Sequence, residues 1–552
     1  MKQQVLFFFF TLMLTGISVS AQTGGGRIAG VVIDNAGEEP LPGATIFIEE
    51  LKKGIVTDGH GEFLLSDVPA ATYTLTVRFI GYHTQTRKLT VGKERGKKII
   101  IRLKAEAKSL DEVVVMGKSE ARKLREQAMP ISVISMNQIQ GTVNNVQDIL
   151  AKTAGITVRA TGGTGSTSRI SVRGLEGKRI GLFIDGNPMN DNSDFIDIND
   201  IPVEMIDRIE IYKVVVPAKF GGSAVGGAVN IVIKEYPPKY LDVNYSYGSF
   251  NTHNASVVSK MNIAPKGIEF GLGGFYTYAD NDYKMKSPFQ EGLTITRDHD
   301  KFKKTVIGGS FKARKWWFDL VEFEPVFIHT YKDIQGIESN IRHAHSHSNA
   351  FIFANKMEKE NFLLDGLDLD WQLGYIYTDY HFADTASHRT HWDGTHYPAV
   401  SEFGGEIGKW ASLLTNEKHQ LQHKLNLNYL VNENHSVNFN SLLKYAHANP
   451  RDGMKDKVIG YRTDFPSNMF SWVAGLNYDY RTSNDKFLNS FNVKYYYYSM
   501  KTRMASVLVK TAEDIDTHKN DFGISNALRY RITPSLMAKA SFGYDVRLPS
   551  EE

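Results

Sequence analysis

The sequence predicts a mainly β protein. About 13 of its strands form a transmembrane antiparallel β-barrel, preceded by a compact α/β unit and an N-terminal β-sandwich. Three observations predict this. Apolar and polar residues alternate, strand after strand, from Tyr240 onward. The connections between those strands are short and long in turn. The long apolar run of the chain stands at its N-terminus, so a membrane would have to be crossed by strands.

That run belongs to a leader. Met1-Lys2 supplies a positive charge, Val5 to Val19 is uncharged and mostly apolar, and Val19-Ser20-Ala21 offers a small-residue cleavage site before Gln22. Residues 1–21 therefore read as a secretory signal peptide. The run is short for a membrane helix, which needs about 20 residues; an uncleaved anchor is the other reading. Composition agrees with a barrel. Among 552 residues there are 26 Tyr, 31 Phe and 47 Gly, which favours strands and turns. Mean hydropathy is -0.30, which excludes a bundle of apolar helices. Basic and acidic residues number 64 and 61, which argues against a nucleic-acid partner. The absence of cysteine excludes thiol catalysis, thiolate metal sites and disulfides in this sequence.

Residues 26–104 read as the β-sandwich. Ile28 to Ile33 and Thr72 to Phe79 are short strand runs, split by Asn35-Ala36-Gly37 and Thr57-Asp58-Gly59-His60-Gly61, whose residues suit turns. Pro42-Gly43-Ala44 leads into Thr45-Ile46-Phe47-Ile48, and Gly81-Tyr82 follows. This pattern resembles the carboxypeptidase-regulatory-like domain. Nothing in it forms a metal-ligand set or an acid–base pair, so an accessory, periplasmic module is expected.

Residues 105–128 form a tether. Within it Asp111-Glu112 precede Val113-Val114-Val115. Three β-branched residues in an exposed segment can add a strand to a partner's sheet edge. A buried strand of a neighbouring domain is the alternative.

Residues 129–235 read as the α/β unit. Ile131 to Ile134 alternates as a strand, Asn145 to Ala151 suits a helix, and Ile201 to Ile206 suits a second with Pro202 near its start. Five motifs then occur in order. They are Ala154 to Val158, Ser171-Val172-Arg173-Gly174, Leu182-Phe183-Ile184-Asp185-Gly186, Ile206 to Ile211, and Phe220 to Ile231. This run resembles the plug domain of TonB-dependent receptors of the siderophore and cobalamin type. Ala154 departs from the family, which commonly has Pro there. Gly221, Gly222, Gly226 and Gly227 suit a tight reversal in the plug. Arg173 and Asp185 are candidates for ion pairs to the barrel wall, or else for roles in plug folding alone.

Residues 236–552 read as the barrel. Leu241, Val243, Tyr245 and Tyr247 alternate with Asp242, Asn244 and Ser246; Leu367 to Tyr377 repeats the pattern. Ala264 to Gly267, Asn432 to His435, Arg481 to Lys486 and Thr533 to Ser535 are the expected short turns. Ala279 to Phe302, Asp384 to Gln420, Ala446 to Phe470 and Lys501 to Asn520 are the expected long loops. Plugged transporters have about 22 strands. With about 13 here, and with Tyr544 to Glu552 resembling a mid-barrel motif, the sequence is expected to be part of a longer chain.

No hydrolase elbow, phosphate loop or His-Glu-x-x-His helix occurs, so no enzyme is expected. His343, His345 and His347 alternate and could hold a metal or haem iron; ordinary polar loop chemistry is the other reading, as for His388, His391 and His396. No resident cofactor is expected. The resemblance implies outer-membrane import driven by TonB, which would bind Asp111, Glu112, Val113, Val114 and Val115. It implies contact with outer-membrane lipid and, as a further partner, a surface lipoprotein. A ferric siderophore or other iron chelate is the favoured ligand, before haem, cobalamin or another metal complex. The readings from another class are a non-transporting surface binder and a passive porin; the tether motif and the plug oppose both.

Overall fold

The computed structural model describes residues 26–35, 38–79, 82–92, 98–104, 120–135, 146–160, 162–166, 168–189, 201–221, 225–263, 267–314, 316–401, 403–506, 509–534 and 536–546. The leader (1–21) and the tether motif (111–115) lie outside them. The chain divides into two compact units, 1–117 and 118–552.

The first unit has seven strands: β1 (Gly26–Asp34), β2 (Thr45–Ile48), β3 (Lys53–Val56), β4 (Glu62–Val68), β5 (Thr72–Arg78), β6 (Gln85–Thr90) and β7 (Ile99–Leu103). They form two sheets, ordered β4-β1-β7 and β3-β2-β5-β6. Both sheets bury one face in a shared core that includes Val32, Phe63 and Leu103 from one and Ile46, Ile48 and Leu75 from the other. The Thr57-Asp58 turn holds the sheets in register. Thr57 Oγ1 donates to Leu41 O at 2.6 Å and accepts from Ala44 N at 2.8 Å. Asp58 Oδ1 accepts from His60 N and Glu62 N, both at 2.9 Å.

The second unit begins with α1 (Glu120–Arg125), β8 (Ile131–Ser135) and α2 (Val146–Ala151). A hairpin follows, β9 (Ile156–Ala160) and β10 (Ser168–Val172), with a short β11 (Leu175–Glu176) beside it. Then come β12 (Gly181–Ile184), β13 (Asn187–Pro188), β14 (Ile206–Tyr212) and β15 (Ala228–Ile233). The main sheet of this α/β part runs β13-β12-β15-β14-β8. Its apolar face packs on α2 through Ile149 and Leu150. The helix expected at Ile201 to Ile206 is a single 3₁₀ turn at Val203–Met205.

The rest is one large antiparallel sheet with two small hairpins in its connections. The strands are β16 (Lys239–Gly248), β17 (Thr252–Ile263), β18 (Ile268–Ala279), β19 (Tyr283–Lys286), β20 (Thr294–Arg297), β21 (Phe302–Arg314), β22 (Leu320–Asp333), β23 (His345–Lys359), β24 (Leu367–Asp384), β25 (His388–Thr390), β26 (His396–Pro398), β27 (Ser412–Asn432) and β28 (His435–Asp452). After α3 (Gly453–Ile459) come β29 (Ser467–Arg481), β30 (Phe487–Ser506), β31 (Thr511–Arg531) and β32 (Met537–Tyr544). β19 pairs with β20 and β25 with β26; the other thirteen form one meander from β16 to β32.

This sheet is inside out relative to a soluble sandwich. The alternating set Leu241, Val243, Tyr245 and Tyr247 is exposed, each at 66% or more. The other face buries Lys304, Lys424, Asn440, Lys494 and Arg529. An apolar face turned outward and a polar face turned inward is what lipid outside and a polar lumen require. The strands are also longer than expected. The connection read as Lys501 to Asn520 is shortened to four residues, because β30 runs to Ser506 and β31 starts at Thr511. Likewise β27 starts at Ser412 and β28 ends at Asp452, inside segments expected to be loop.

Candidate functional site: where the α/β part meets the large sheet

The polar inner face of the sheet wraps the α/β part, and their contacts fall at three levels. At the level of the long connections, Asn281 grips the backbone of the 162–166 loop. Its Oδ1 accepts from Thr164 N at 3.0 Å and its Nδ2 donates to Thr164 O at 2.8 Å. Lys332 Nζ donates to Gly165 O at 3.0 Å.

At mid-height the contact is a buried lysine. Lys424 Nζ donates to Gly186 O at 2.7 Å and to Asn187 Oδ1 at 3.2 Å. Two rungs along the strand, Asn426 Nδ2 donates to Lys219 O at 3.2 Å. The turn that receives Lys424 is built by the chain's own geometry. Asp185 and Gly186 both have positive φ, 48° and 73°. Gly186 N donates to Asn230 Oδ1 at 2.9 Å. Asn230 in turn donates to Glu210, whose carboxylate also accepts from Tyr212 and Arg208 at 2.9 Å each.

At the level of the short turns, the α/β part enters the sheet beside α1. Glu126 is buried. Arg531 Nη2 donates to its Oε2 at 2.7 Å, and Arg529 Nη1 donates to its backbone O at 2.8 Å. Both arginines also pair with Asp485, at 2.9 Å and 2.6 Å. Lys539 Nζ donates to Arg125 O at 2.6 Å.

The predicted residues fall unevenly in this frame. Arg173 is exposed in the β10–β11 turn, with φ 53°, and has no ion pair among the described residues; its N–H donates to Gly155 O at 2.8 Å. Asp185 does lie between the α/β part and the sheet. Its carboxyl keeps contact with solvent, yet surrounding protein removes enough bulk water to push it up to about 6. The Ile233 N–H, Lys356, Lys312 and Arg208 oppose that shift. It forms no direct ion pair to the wall among the described residues; the neighbouring Gly186 carbonyl carries the contact. Gly221 and Gly227 have φ of 71° and 103°. Gly226 is closed in by Ile180 and Arg179. Gly222 and Asp111 to Val115 lie outside the described residues.

The structure does not bring His343, His345 and His347 together as a ligand set. His343 lies in the connection before β23. The pairing of β22, β23 and β24 puts His345 and His347 on the outward face. His345 stacks on Tyr331 and His347 on His381. Among the described residues no group of three or more His, Asp or Glu is placed to hold a metal ion. His388 meets His396 across the β25–β26 hairpin at 4.1 Å.

The long connections are tied to one another. Asp384 is buried and accepts from the N–H groups of Glu406, Ile407 and Gly408 at 2.6, 3.0 and 3.4 Å. Glu406, also buried, accepts from the N–H groups of Arg342, His343 and Ala344 at 3.1, 2.6 and 2.8 Å. Arg342 reaches on to Asp298 at 2.7 Å.

Comparison with known proteins agrees with this layout. Residues 28–115 match the CarboxypepD_reg-like domain and residues 123–228 match the TonB-dependent Receptor Plug Domain. The TonB-dependent receptor P39 of Formosa agariphila is 28% identical over 249 residues, 44% of this chain and 23% of that protein. The vitamin B12 transporter BtuB of Vibrio vulnificus is 24% identical over 265 residues, 46% of this chain and 43% of that protein. The matched stretch thus spans less than half the length of either relative. Among solved structures, the copper transporter OprC superposes with a TM-score of 0.60 at 13% identity, covering 76% of this chain and 65% of that one. The siderophore receptor PiuA from Acinetobacter baumannii gives 0.53 at 15%, covering 75% and 64%. At those identities the likeness is one of fold. Taken with the two domain matches and the inside-out sheet, it identifies the chain as a member of the TonB-dependent receptors of the outer membrane, with a CarboxypepD_reg-like domain ahead of its plug.

Proposed function

We propose that the protein imports a scarce nutrient across the outer membrane, driven by TonB, and that the cargo is a ferric siderophore or another iron chelate. The observation that carries the transport reading is the chemistry of the plug–barrel contact. It is made by Lys424, Asn426, Asn281, Lys332 and Arg529 through hydrogen bonds to plug backbone. Such bonds can be exchanged for water, so the plug can shift or leave at modest cost, whereas an apolar seam would resist. TonB would take hold at Asp111 to Val115, adding Val113 to Val115 to its own sheet edge. The N-terminal domain would then stand in the periplasm.

The cargo is argued from the similar proteins, among which is a siderophore receptor. The vitamin B12 transporter supports cobalamin as the second reading. Uptake of labelled ferric siderophores and of labelled cobalamin, in a strain lacking the gene and in the same strain complemented, decides between them. Loss of ferric uptake alone is expected. Loss of cobalamin uptake alone would replace the cargo, and loss of neither would end the transport reading.

A further inference from the structure

Ten histidines lie on strands of the thirteen-stranded sheet, and the pairing register puts all ten on its outward face. Placement blind to side would turn about half of them inward. Two stand apart from the rest. His423 packs edge-on against Trp371, and His435 lies against Tyr478 and Tyr480 beside a short turn. The other eight stand at the end of the sheet that carries the long connections.

Those eight follow the slant of the strands around the sheet. His253 on β17 and His329 on β22 begin the line, followed by His345 and His347 on β23. His381 on β24 continues it, then His419 and His447, which are directly opposed on β27 and β28. His518 on β31 ends it. Just toward the middle of the strands lie outward aromatic residues, Phe327, Phe351, Tyr377 and Tyr445 among them. The line therefore sits where the apolar belt gives way to the headgroup layer.

Three of its imidazoles are held by one nitrogen. His419 Nδ1 bonds Tyr375 OH at 2.8 Å, while His329 Nδ1 and His447 Nδ1 contact Asn349 and Asn468, each at 2.9 Å. The Nε2 atoms of these three have no partner among the described residues. His347 and His381 stack at 4.5 Å with 11° between their planes. Lys303, Arg451 and Lys501 share the outward face at the same end.

We propose that this rim binds the phosphate groups of lipid headgroups in the outer layer of the membrane. Lipid is the occupant because the rim continues the apolar face that lipid must cover. An imidazole with a free Nε2 can donate to a phosphate oxygen while neutral, and attracts it by charge once protonated. The charged groups facing the line are known. Asp379 contacts His381 at 2.9 Å, and Asp516 contacts His518 at 2.8 Å and Lys501 at 3.5 Å. Arg503 is paired with Asp514 at 2.8 Å, and Glu417 stands beside His419 on the same face. Asp333 is directly opposed to His345 on the same face, so near neutral pH these acids outnumber the bases. Protonation of the histidines as the pH falls adds positive charge to this face.

The inference rests on the outer-membrane location and not on transport. Its test uses the full receptor in mixed phosphatidylcholine and phosphatidic acid vesicles. Lipid retained after detergent extraction is counted by native mass spectrometry. The receptor is expected to retain several-fold more phosphatidic acid than phosphatidylcholine, with the excess growing as the pH is lowered from about 7.5 to about 5.5. The combined change His329→Gln, His347→Gln, His419→Gln and His447→Gln is expected to remove most of that excess. His419→Gln alone should remove part of it and serves if the combined variant fails to assemble. Equal retention of both lipids would overturn the proposal. So would an undiminished excess in folded variants, or a receptor dimer that covers the rim.

Discussion

Arg531 and Glu126 are 405 residues apart in the chain and meet at 2.7 Å. Glu126 lies near the end of the tether (105–128) that is expected to carry the TonB motif, so this pair ties the barrel to the chain just ahead of the plug. Arg529 and Asp485 complete the cluster. Glu126→Gln should loosen it without emptying it, because Asp485 still pairs with both arginines. The expected cost is about 1–3 kcal/mol in urea unfolding, less than for an isolated buried pair. Hydrogen exchange should rise first in residues 120–135, and protection there equal to wild type would refute the assignment.

Acid should release the same cluster. Burial raises the Asp485 carboxyl, but Arg529, Arg531 and Arg481 outweigh it and hold the group below its usual value. A depressed carboxyl stabilises the fold above its unfolded value, about 4, and loses that contribution as the pH falls through its folded value. Exchange at residues 120–135 should therefore accelerate below about pH 4. An Asp485→Asn variant should exchange faster at neutral pH and respond less to acid.

Asp185 should behave with the opposite sign. Its carboxyl is raised to about 6, so the folded plug favours the protonated form. Wild-type stability should then fall as the pH climbs from about 4 to about 6 and stay lower above it. Asp185→Asn keeps an oxygen for the Ile233 N–H and should flatten that fall. A variant that loses stability at neutral pH would show that the charge itself is required.

Lys424→Met removes both hydrogen bonds that Nζ donates to the Gly186 turn. The Gly186 carbonyl loses its buried partner, at a cost of about 1–3 kcal/mol. Limited proteolysis between residues 186 and 201 should speed up in folded receptor, and an unchanged rate would place the hold elsewhere.

Gly227→Ala tests the plug reversal. Its φ is 103°, and an added Cβ would lie 2.3 Å from Tyr212 O. Strain of about 1–3 kcal/mol is expected from the backbone alone, with the clash in addition. Gly174→Ala has a φ of 85° and no atom within 4 Å of the new Cβ, so it should cost less. For the tether, Val114→Pro should drop uptake to the level of the deletion strain while leaving ligand binding intact. Normal uptake would refute the assignment of Asp111 to Val115.

The face that meets lipid was legible in the sequence because lipid imposes alternation. Leu241, Val243, Tyr245 and Tyr247 share a parity, and all four are exposed. The upper halves of the long strands were not legible. From Thr511 to Asp521 neither face of β31 is buried and the outward one lies beyond the apolar belt, so neither side needs apolar residues and the period vanishes. The site was legible only to within a residue. Leu182 to Gly186 marked the right turn, but its partner is Lys424, 238 positions away, one of several polar residues on the inner parity of its strand. Local pattern says which side Lys424 faces, not what it reaches. The same distance hides Glu126 from Arg531.

The two buried carboxylates in the long connections carry a consequence for change in this receptor. Asp384 and Glu406 fasten three surface segments in series, each through backbone donors that any sequence supplies. Side chains between the fasteners are free to vary, while the fasteners themselves are not. New specificity can therefore arise by rewriting the surface of a fixed scaffold. Transplanting one connection alone into another receptor would leave a buried negative charge without its donors, so the three segments have to be moved as a set.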